Sequence, residues 1–558
     1  MKRGILVILI FMLSVVSAIA SFEPVRARYG MVASQKMLAS QAGVEMLKEG
    51  GNAVDAAVAT AFALAVTLPR AGNIGGGGFL VFRPGNGGQP EAYDFRETAP
   101  ARATPEMFLK DGKYDWNLHH AHGPAVGVPG TVSGLHLAWK IHGKLPWKRL
   151  IEPAIALARD GVMVTDDMER SLKQMLSKWK DYPTSMAPLT KKGEYYQIGD
   201  IIKQTDLART LERIANEGPP GFYEGETARL IVDQMKRIDG LITLEDLKAY
   251  RAKKREPIRG TYRGYEIISM PPPSSGGIVL IQMLNILEGF DIARSGHHSA
   301  KSLHLMAETM RRAYSTRAQH LGDPDFNPDM PVAKLISKAY AEKLRKTIDP
   351  EHASTSSPDT FSWPIESQET THFSVVDDKR NAVSVTYTIE QPMMMVAGAG
   401  FLLNSELGDF NAGPGLTDSE GLIGTEPNLA GPGKRPLSSM SPTIVTKDGE
   451  LFMVTGTPGG RTIINTVMQT VIHAVDFGMN AQDVIDAGRI HHQWLPDHIL
   501  YEQYAFSPDT LNILKRLGHQ LKPTPAIGCA QVIIYNKKEN ILEGGSDRRR
   551  QDGGVVAY

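Results

Sequence analysis

Apolar residues recur at helical spacing through most of the first half of the chain. "SQKMLASQAGVEMLKEGGN" (34–52) carries them on one face and stops at Gly50-Gly51. "PWKRLIEPAIALARDG" (146–161), "TDLARTLERIANEG" (205–218) and "GETARLIVDQMKRIDG" (225–240) repeat the pattern, each ending at a glycine. The spacing predicts helices closed by glycine C-caps. "AVDAAVATAFALAVTLP" (53–69) carries Asp55 and ends at Pro69. It falls short of the roughly 20 residues that span a bilayer, so it reads as a buried core helix. "PPPSSGGIVLIQMLNILEGF" (271–290) predicts a rigid turn opening a helix.

From Phe373 onward the period becomes two. "THFSVVD" and "NAVSVTYTI" alternate as strands do. "SPTIVTKDGELFMVTGTPGG" (441–460) predicts a hairpin turning at Lys447-Asp448-Gly449, and "CAQVIIYNKKENILEGGSD" a second one near the C-terminus. Helical spacing returns over 461–478, 481–488 and 508–518. The helix-rich and strand-rich parts therefore read as complementary layers of one α+β unit. No internal repeat or low-complexity tract interrupts them. Between them lies "DPEHASTSSPDTFSWPIESQE" (349–369), a Ser/Thr/Pro-rich loop long enough to suggest a function. It delivers the chain to Glu369-Thr370-Thr371-His372.

Composition narrows the picture. With 558 residues, 42% hydrophobic and 22% charged, the chain is an ordinary globular one. Lys plus Arg is 61 and Asp plus Glu is 61, so charge gives no reason to expect nucleic acid or an anionic membrane as partner. The single cysteine, Cys529, excludes an intrachain disulfide and a thiolate metal cluster. Lys2 and Arg3 precede "GILVILIFMLSVVSAIA", which ends in the small-x-small pattern Ala18-Ile19-Ala20. Residues 1–20 read as a signal peptide, which predicts a periplasmic or secreted protein. A membrane anchor is the competing reading, but no stop-transfer flank follows.

Thr370 then acquires a second meaning besides that of a β-branched strand start. A threonine hydroxyl needs a base before it can attack, and a free α-amino group, with a pKa of about 7.7–8.0, can serve. A peptide nitrogen cannot, so an internal threonine must first be released by cleavage of the bond before it. The hydroxyl of Thr370 could do this itself by attacking the carbonyl of Glu369. If 370–377 and 381–388 pair around Asp378, Lys379 and Arg380, Thr370 falls opposite Thr388, which could hold the nucleophile's rotamer. A one-residue slip would undo that pairing.

The ordered motifs "GMVASQ", "LKEGGNAVDAAVA", "AGNIGGGGF", "DFRETAP", "GVPGTVSG", "YRGYEIISMPPPSSGG", "LGDPDF", "TTHFSVVD", "KRPLSSMSPTIV", "TGTPGG" and "HHQWLPD" run from about 25 to 558. Together they closely resemble the γ-glutamyltransferases, or glutathione hydrolases, of the N-terminal-nucleophile hydrolase superfamily. The resemblance implies a four-layer αββα sandwich. It implies a zymogen that cuts itself between Glu369 and Thr370 into a large subunit, 21–369, and a small subunit, 370–558, which form one domain. Thr370 would be the nucleophile, Thr388 its support, and Gly459 and Gly460 the oxyanion donors. Arg96, Ser438 and Ser439 would take the substrate α-carboxylate, and Glu406 and Asp409 its α-ammonium. Thr370 would accept a γ-glutamyl group from a donor such as glutathione and pass it to water, an amino acid or a dipeptide. No cofactor and no metal are implied.

One position departs from the family pattern. Glu390 stands where an asparagine is usual, two residues after the supporting threonine. It either adds a third acid to the ammonium pocket or turns away and marks an altered acyl preference. A lid tyrosine of some bacterial members has no match in "GPGLTDSEGLIG" (413–424), where Glu420 falls nearby. Two rival readings stay open: a glutaryl-type acylase on the same machinery, and a non-catalytic paralogue that never matures. Other signals read as structural. Gly75–Gly78 lacks the spacing of a phosphate loop and reads as a close-packed turn. "HHAH" (119–122) and "HHQWLPDH" (491–498) lack helix-borne zinc spacing and read as packing or surface histidines. Met393–Met395 read as pocket wall or core.

Overall fold

Two seven-stranded antiparallel sheets lie face to face, each covered on its outer side by helices, in the computed structural model of the chain. The structure describes residues 22–177, 183–356, 370–391, 394–416 and 425–558. The signal-peptide reading of 1–20, the cleavage-site residue Glu369, Met393 and Glu420 therefore lie outside the described residues. The layering is that of the expected αββα sandwich.

The first sheet runs in the order Gly554–Ala557, Met31–Ser34, Thr370–Val376, Ala382–Thr388, Gly77–Arg83, Glu91–Phe95, Lys253–Arg255. The second runs Val25–Ala27, Ile541–Ser546, Gln531–Asn536, Glu450–Thr455, Thr443–Lys447, Tyr265–Ser269, Ile258–Tyr262. Each sheet thus interleaves strands from both ends of the chain. The predicted hairpin turns where expected, with Asp448 and Gly449 both at positive φ, the conformation that two-residue hairpin loops require.

Several strands of the first half escape a search for alternation, and Gly77–Arg83, "GGFLVFR", shows why. Leu80 and Phe82 pack into the core shared with the helices Met37–Lys48 and Ala53–Thr67. Phe79 and Val81 pack into the core between the sheets, with Val445, Val454 and Ile533 of the second sheet. A strand covered on both faces reads as a continuous apolar run, without period two. The glycines before it are close-packed, as expected. A Cβ on Gly76 would stand 2.1 Å from the Thr388 carbonyl, and one on Gly75 2.1 Å from that of Leu402.

All residues of the helix Ala53–Thr67 are buried. Asp55 is tolerated there because it completes a capping box with Asn52 and accepts from the Lys144 and Leu145 N–H groups. Helices Gly276–Leu287, Ala300–His320 and Thr462–Asp476 cover the second sheet. Among the described residues no helix is long and apolar enough to cross a membrane.

The gap between the sheets turns polar toward one end. His372, Ser374, Thr386 and Ser384 share the inner face of the central hairpin, and all are buried. His372 bonds to Thr386 at 2.8 Å and Ser374 at 3.1 Å. Gly456 passes so close that a Cβ there would meet the His372 ring at 2.2 Å. Burial pushes His372, His491 and His519 down to about 3 and His492 to about 4. These rings are neutral in the fold and would charge once unfolded, near pH 6.5. The native state therefore binds fewer protons than the unfolded state below that pH, and stability falls as pH falls. The midpoint of thermal unfolding is expected to drop steadily from pH 7 to pH 5; a flat profile over that range would contradict neutral burial of these rings.

Candidate active site

The register that decides the site is Thr370 opposite Thr388, followed by Thr371 opposite Tyr387 and His372 opposite Thr386. This is the pairing expected from a loop of Asp378, Lys379 and Arg380. Asp377 fixes that loop by accepting from the Lys379 and Asn381 N–H groups. Met31–Ser34, the neighbour on the other side, pairs only with Phe373–Val376. Its ladder therefore stops short of Thr370. The Thr370 hydroxyl lies 3.5 Å from that of Thr388, which accepts at 2.9 Å from the Glu390 N–H. Both threonines are buried.

A cleft of about 240 Å³ opens over this pair. Its walls include Thr370, Thr388, Arg96, Glu390, Glu406, Asp409, Ser438, Ser439 and Gly460, with Met440 and Ile463. Every candidate within the described residues is thereby brought to one place, Gly459 being the chain neighbour of Gly460. Gly459 and Gly460 have φ of 132° and 55° and lead into the helix Thr462–Asp476. A side chain would strain both positions, and a Cβ on Gly459 would also stand 2.4 Å from the Thr462 hydroxyl. A helix N-terminus just beyond adds partial positive charge.

Arg96 follows the strand Glu91–Phe95 and is fully buried. Its carbonyl is held by Tyr250 and Arg435, both at 2.8 Å. Its guanidinium donates to Glu406 through one terminal nitrogen and to Asp409 through the other, and reaches Glu97 at 3.5 Å. The two acids sit in one 3-10 turn, Glu406–Asp409, anchored where Asn404 accepts from the Glu406 N–H at 3.1 Å. Burial works against the charge on Arg96, but Glu406 and then Asp409 outweigh it and hold the group above its ordinary value. The expected carboxylate clamp and ammonium pocket are thus one ion network here, with the arginine fork engaged by protein acids. Glu390 stands at positive φ, 59°. Its carboxylate lies within 4.8 Å of those of Glu406 and Asp409, so it faces the cluster rather than turning away.

Ser438 and Ser439 are strapped to the proline-rich turn before the helix Gly276–Leu287. Ser275 donates through both its N–H and its hydroxyl to the Ser438 carbonyl, at 2.8 and 2.7 Å. Arg317 donates to the Ser275 hydroxyl at 2.7 Å and to that of Ser439 at 3.1 Å.

A family model described as gamma-glutamyltranspeptidase matches residues 39–557. The chain belongs to this family. It is 48% identical over 545 residues to the glutathione hydrolase proenzyme of Escherichia coli (strain K12), covering 96% of this chain and 93% of that one. Among solved structures it is similar to a cephalosporin acylase from Bacillus halodurans, with a TM-score of 0.85 and 28% identity over 98% of this chain and 99% of that one. It is also similar to the Helicobacter pylori gamma-glutamyltranspeptidase, with a TM-score of 0.56 and 48% identity over 57% of this chain and 91% of that one.

Sequence reasoning left two neighbours of the site without a role. Glu97, beside Arg96 in the family motif "DFRETAP", is fully buried, and its Oε1 has no hydrogen-bond partner among the described residues. Burial and then Glu406 push its carboxyl well above the usual range, against the pull of Arg96. A protonated Glu97 leaves Arg96 to balance the other acids. Arg317 was the second omission, since its motif partner lies more than a hundred residues away. Met394 and Met395, read as wall or core, are buried in the core.

Arg96→Ala would leave Glu406 and Asp409 buried without their cation, a loss of about 3–5 kcal/mol for a broken buried pair. The variant is expected to unfold at clearly lower temperature than wild type, with Arg96→Lys between them. Equal unfolding midpoints for wild type and Arg96→Ala would contradict the network.

Proposed function

We propose that this protein is a self-processing γ-glutamyltransferase and glutathione hydrolase in which Thr370 performs both the maturation and the turnover. The observation that carries this reading is the Thr370 hydroxyl 3.5 Å from that of Thr388 at the floor of the charged cleft. In maturation, the Thr370 Oγ1 attacks the Glu369 carbonyl and the C–N bond breaks. The resulting ester is hydrolysed by water, which leaves a carboxylate on Glu369 and a free α-amine on Thr370. The products are a large subunit, 21–369, and a small subunit, 370–558.

In turnover, the new α-amine takes the hydroxyl proton and Thr370 attacks the γ-carbonyl of the donor. The Gly459 and Gly460 N–H groups stabilise the oxyanion. The C–N bond breaks, the amine product leaves with a proton, and a γ-glutamyl ester remains. Water, or the amine of an amino acid or dipeptide, then removes the acyl group and restores the hydroxyl. A donor such as glutathione presents a zwitterion to the Arg96 network. Its carboxylate adds to Arg96, Ser438 and Ser439, and its ammonium replaces part of the arginine's neutralisation of Glu390, Glu406 and Asp409. The apolar leader supports export to the periplasm or beyond.

Thr370→Ala is expected to remain one uncut, inactive chain on a denaturing gel, where wild type gives two bands. Two bands from the variant would refute self-cleavage by Thr370, and one band from wild type would favour an inert paralogue.

Paired anilides separate the transferase from a glutaryl acylase, because a glutaryl donor lacks the ammonium. Truncating one partner of a buried charge pair costs about 2–5 kcal/mol. Wild type is therefore expected to favour the γ-glutamyl anilide in kcat/KM by about 30-fold or more, with a smaller preference in Glu390→Asn. Equal values for the two donors would promote the acylase reading.

A further inference from the structure

At the opposite end of the helix Thr462–Asp476 from the Gly459-Gly460 turn, three histidines converge. His473 is 11 residues into that helix from Thr462, about 16 Å along its axis. His297 and His298 lie in the loop that precedes the helix Ala300–His320. Each of the three offers one ring nitrogen, and these nitrogens all lie within 4.8 Å of one another. The His297 and His298 rings stack with centroids 3.6 Å apart, and His297 meets His473 edge-on at 5.0 Å. His298 has a φ of 56°.

Two ring nitrogens of the trio are conspicuous. His473 is 2% exposed, yet its Nδ1 has no hydrogen-bond partner among the described residues. The same is true of the buried Nε2 of His298. A neutral imidazole carries its one proton on one ring nitrogen and presents the other as a lone pair. Such lone pairs are common ligands of a transition ion. Arg489, a cation that acts on His473, is paired with Asp547 at 2.9 Å. The surrounding rings, Phe477 and Phe506, supply no competing ligand.

We propose that His297, His298 and His473 form a metal site for zinc or a transition ion of similar character, bound through three neutral imidazole nitrogens with a fourth position open to water. Three nitrogen ligands and no thiolate or carboxylate suit zinc rather than calcium or magnesium. Imidazole lone pairs lie in the ring plane, so bonds of about 2.0–2.1 Å to one ion require the stacked, half-exposed His297 and His298 rings to turn apart. The ion would tie the loop before Ala300–His320 to the helix that begins at the oxyanion glycines. It would stabilise the fold by binding only the folded state.

The test uses the full-length purified protein, stripped with chelator and then titrated with zinc or with cobalt as a visible probe. Wild type is expected to retain one zinc per precursor equivalent after dialysis, to show the intense visible bands of low-coordinate cobalt, and to unfold at a temperature that rises with zinc concentration. His297→Ala and His298→Ala, both on the loop, are each expected to weaken zinc binding at least tenfold, and the double variant to lose the stoichiometric zinc and the cobalt bands. Metal-free turnover of a γ-glutamyl anilide should be unchanged in these variants, which certifies their fold. Absence of stoichiometric zinc from wild type, or its retention by the double variant, would overturn the proposal.

Discussion

The site depends on one register. Because side chains alternate between faces, Thr370, His372 and Ser374 point into the gap between the sheets only while Thr370 faces Thr388. A slip by one residue would send all three into the apolar helix-side core and bring Phe373 and Val375 against the second sheet. The hairpin is therefore specified from both sides at once. Its outer face is apolar for the helices, and its inner face is small and polar for the narrow, hydrogen-bonded gap. Gly76 and Gly78 let neighbouring backbone close on Thr388 and Thr386 within distances that no side chain would allow. Placement of the hydroxyl is thus a property of the sheet rather than of a local loop.

The second constraint is electrostatic. Arg96 is one buried cation among Glu97, Glu390, Glu406 and Asp409, and a low-polarity site cannot hold that many ionised acids around one guanidinium. Burial and Glu406 push the Glu97 carboxyl well above the usual range, and its protonation would relieve the crowding. A ligand that carries an ammonium would offer the same relief. The loop with Ser438 and Ser439 stays outside this balance. Arg317 and Ser275 hold it rigidly, so its hydroxyls are positioned without any charge of their own facing the cleft.

Much of this was legible in the sequence because it is local or periodic. The helices are amphipathic or uniformly apolar, the central hairpin alternates, and loop length alone gives the register of Thr370. The strands before residue 370 were hidden because Gly77–Arg83 is covered on both faces and has no period to detect. Glu97 was hidden because its role follows from burial rather than from its neighbours in the chain. Gly456 was part of a recognised motif, yet its contact with the His372 ring joins residues more than eighty positions apart. His297, His298 and His473 come from separate segments, so no spacing rule could have joined them. The fusion of clamp and ammonium pocket into one ion network was invisible for the same reason.

The interleaved sheets give the proposed cut an asymmetric character. Both seven-stranded sheets contain strands from before and after residue 370, and the Thr370–Val376 strand lies inside the first. Before scission the two halves meet as parts of one molecule, at a high effective concentration set by the tether. After scission nothing in the fold need change, yet refolding from the denatured state becomes a bimolecular encounter between two partners, each lacking three or four strands of both large sheets. The mature protein would then be persistent through slow unfolding rather than reversible stability, so that its working lifetime is fixed by a rate and an unfolding event is final.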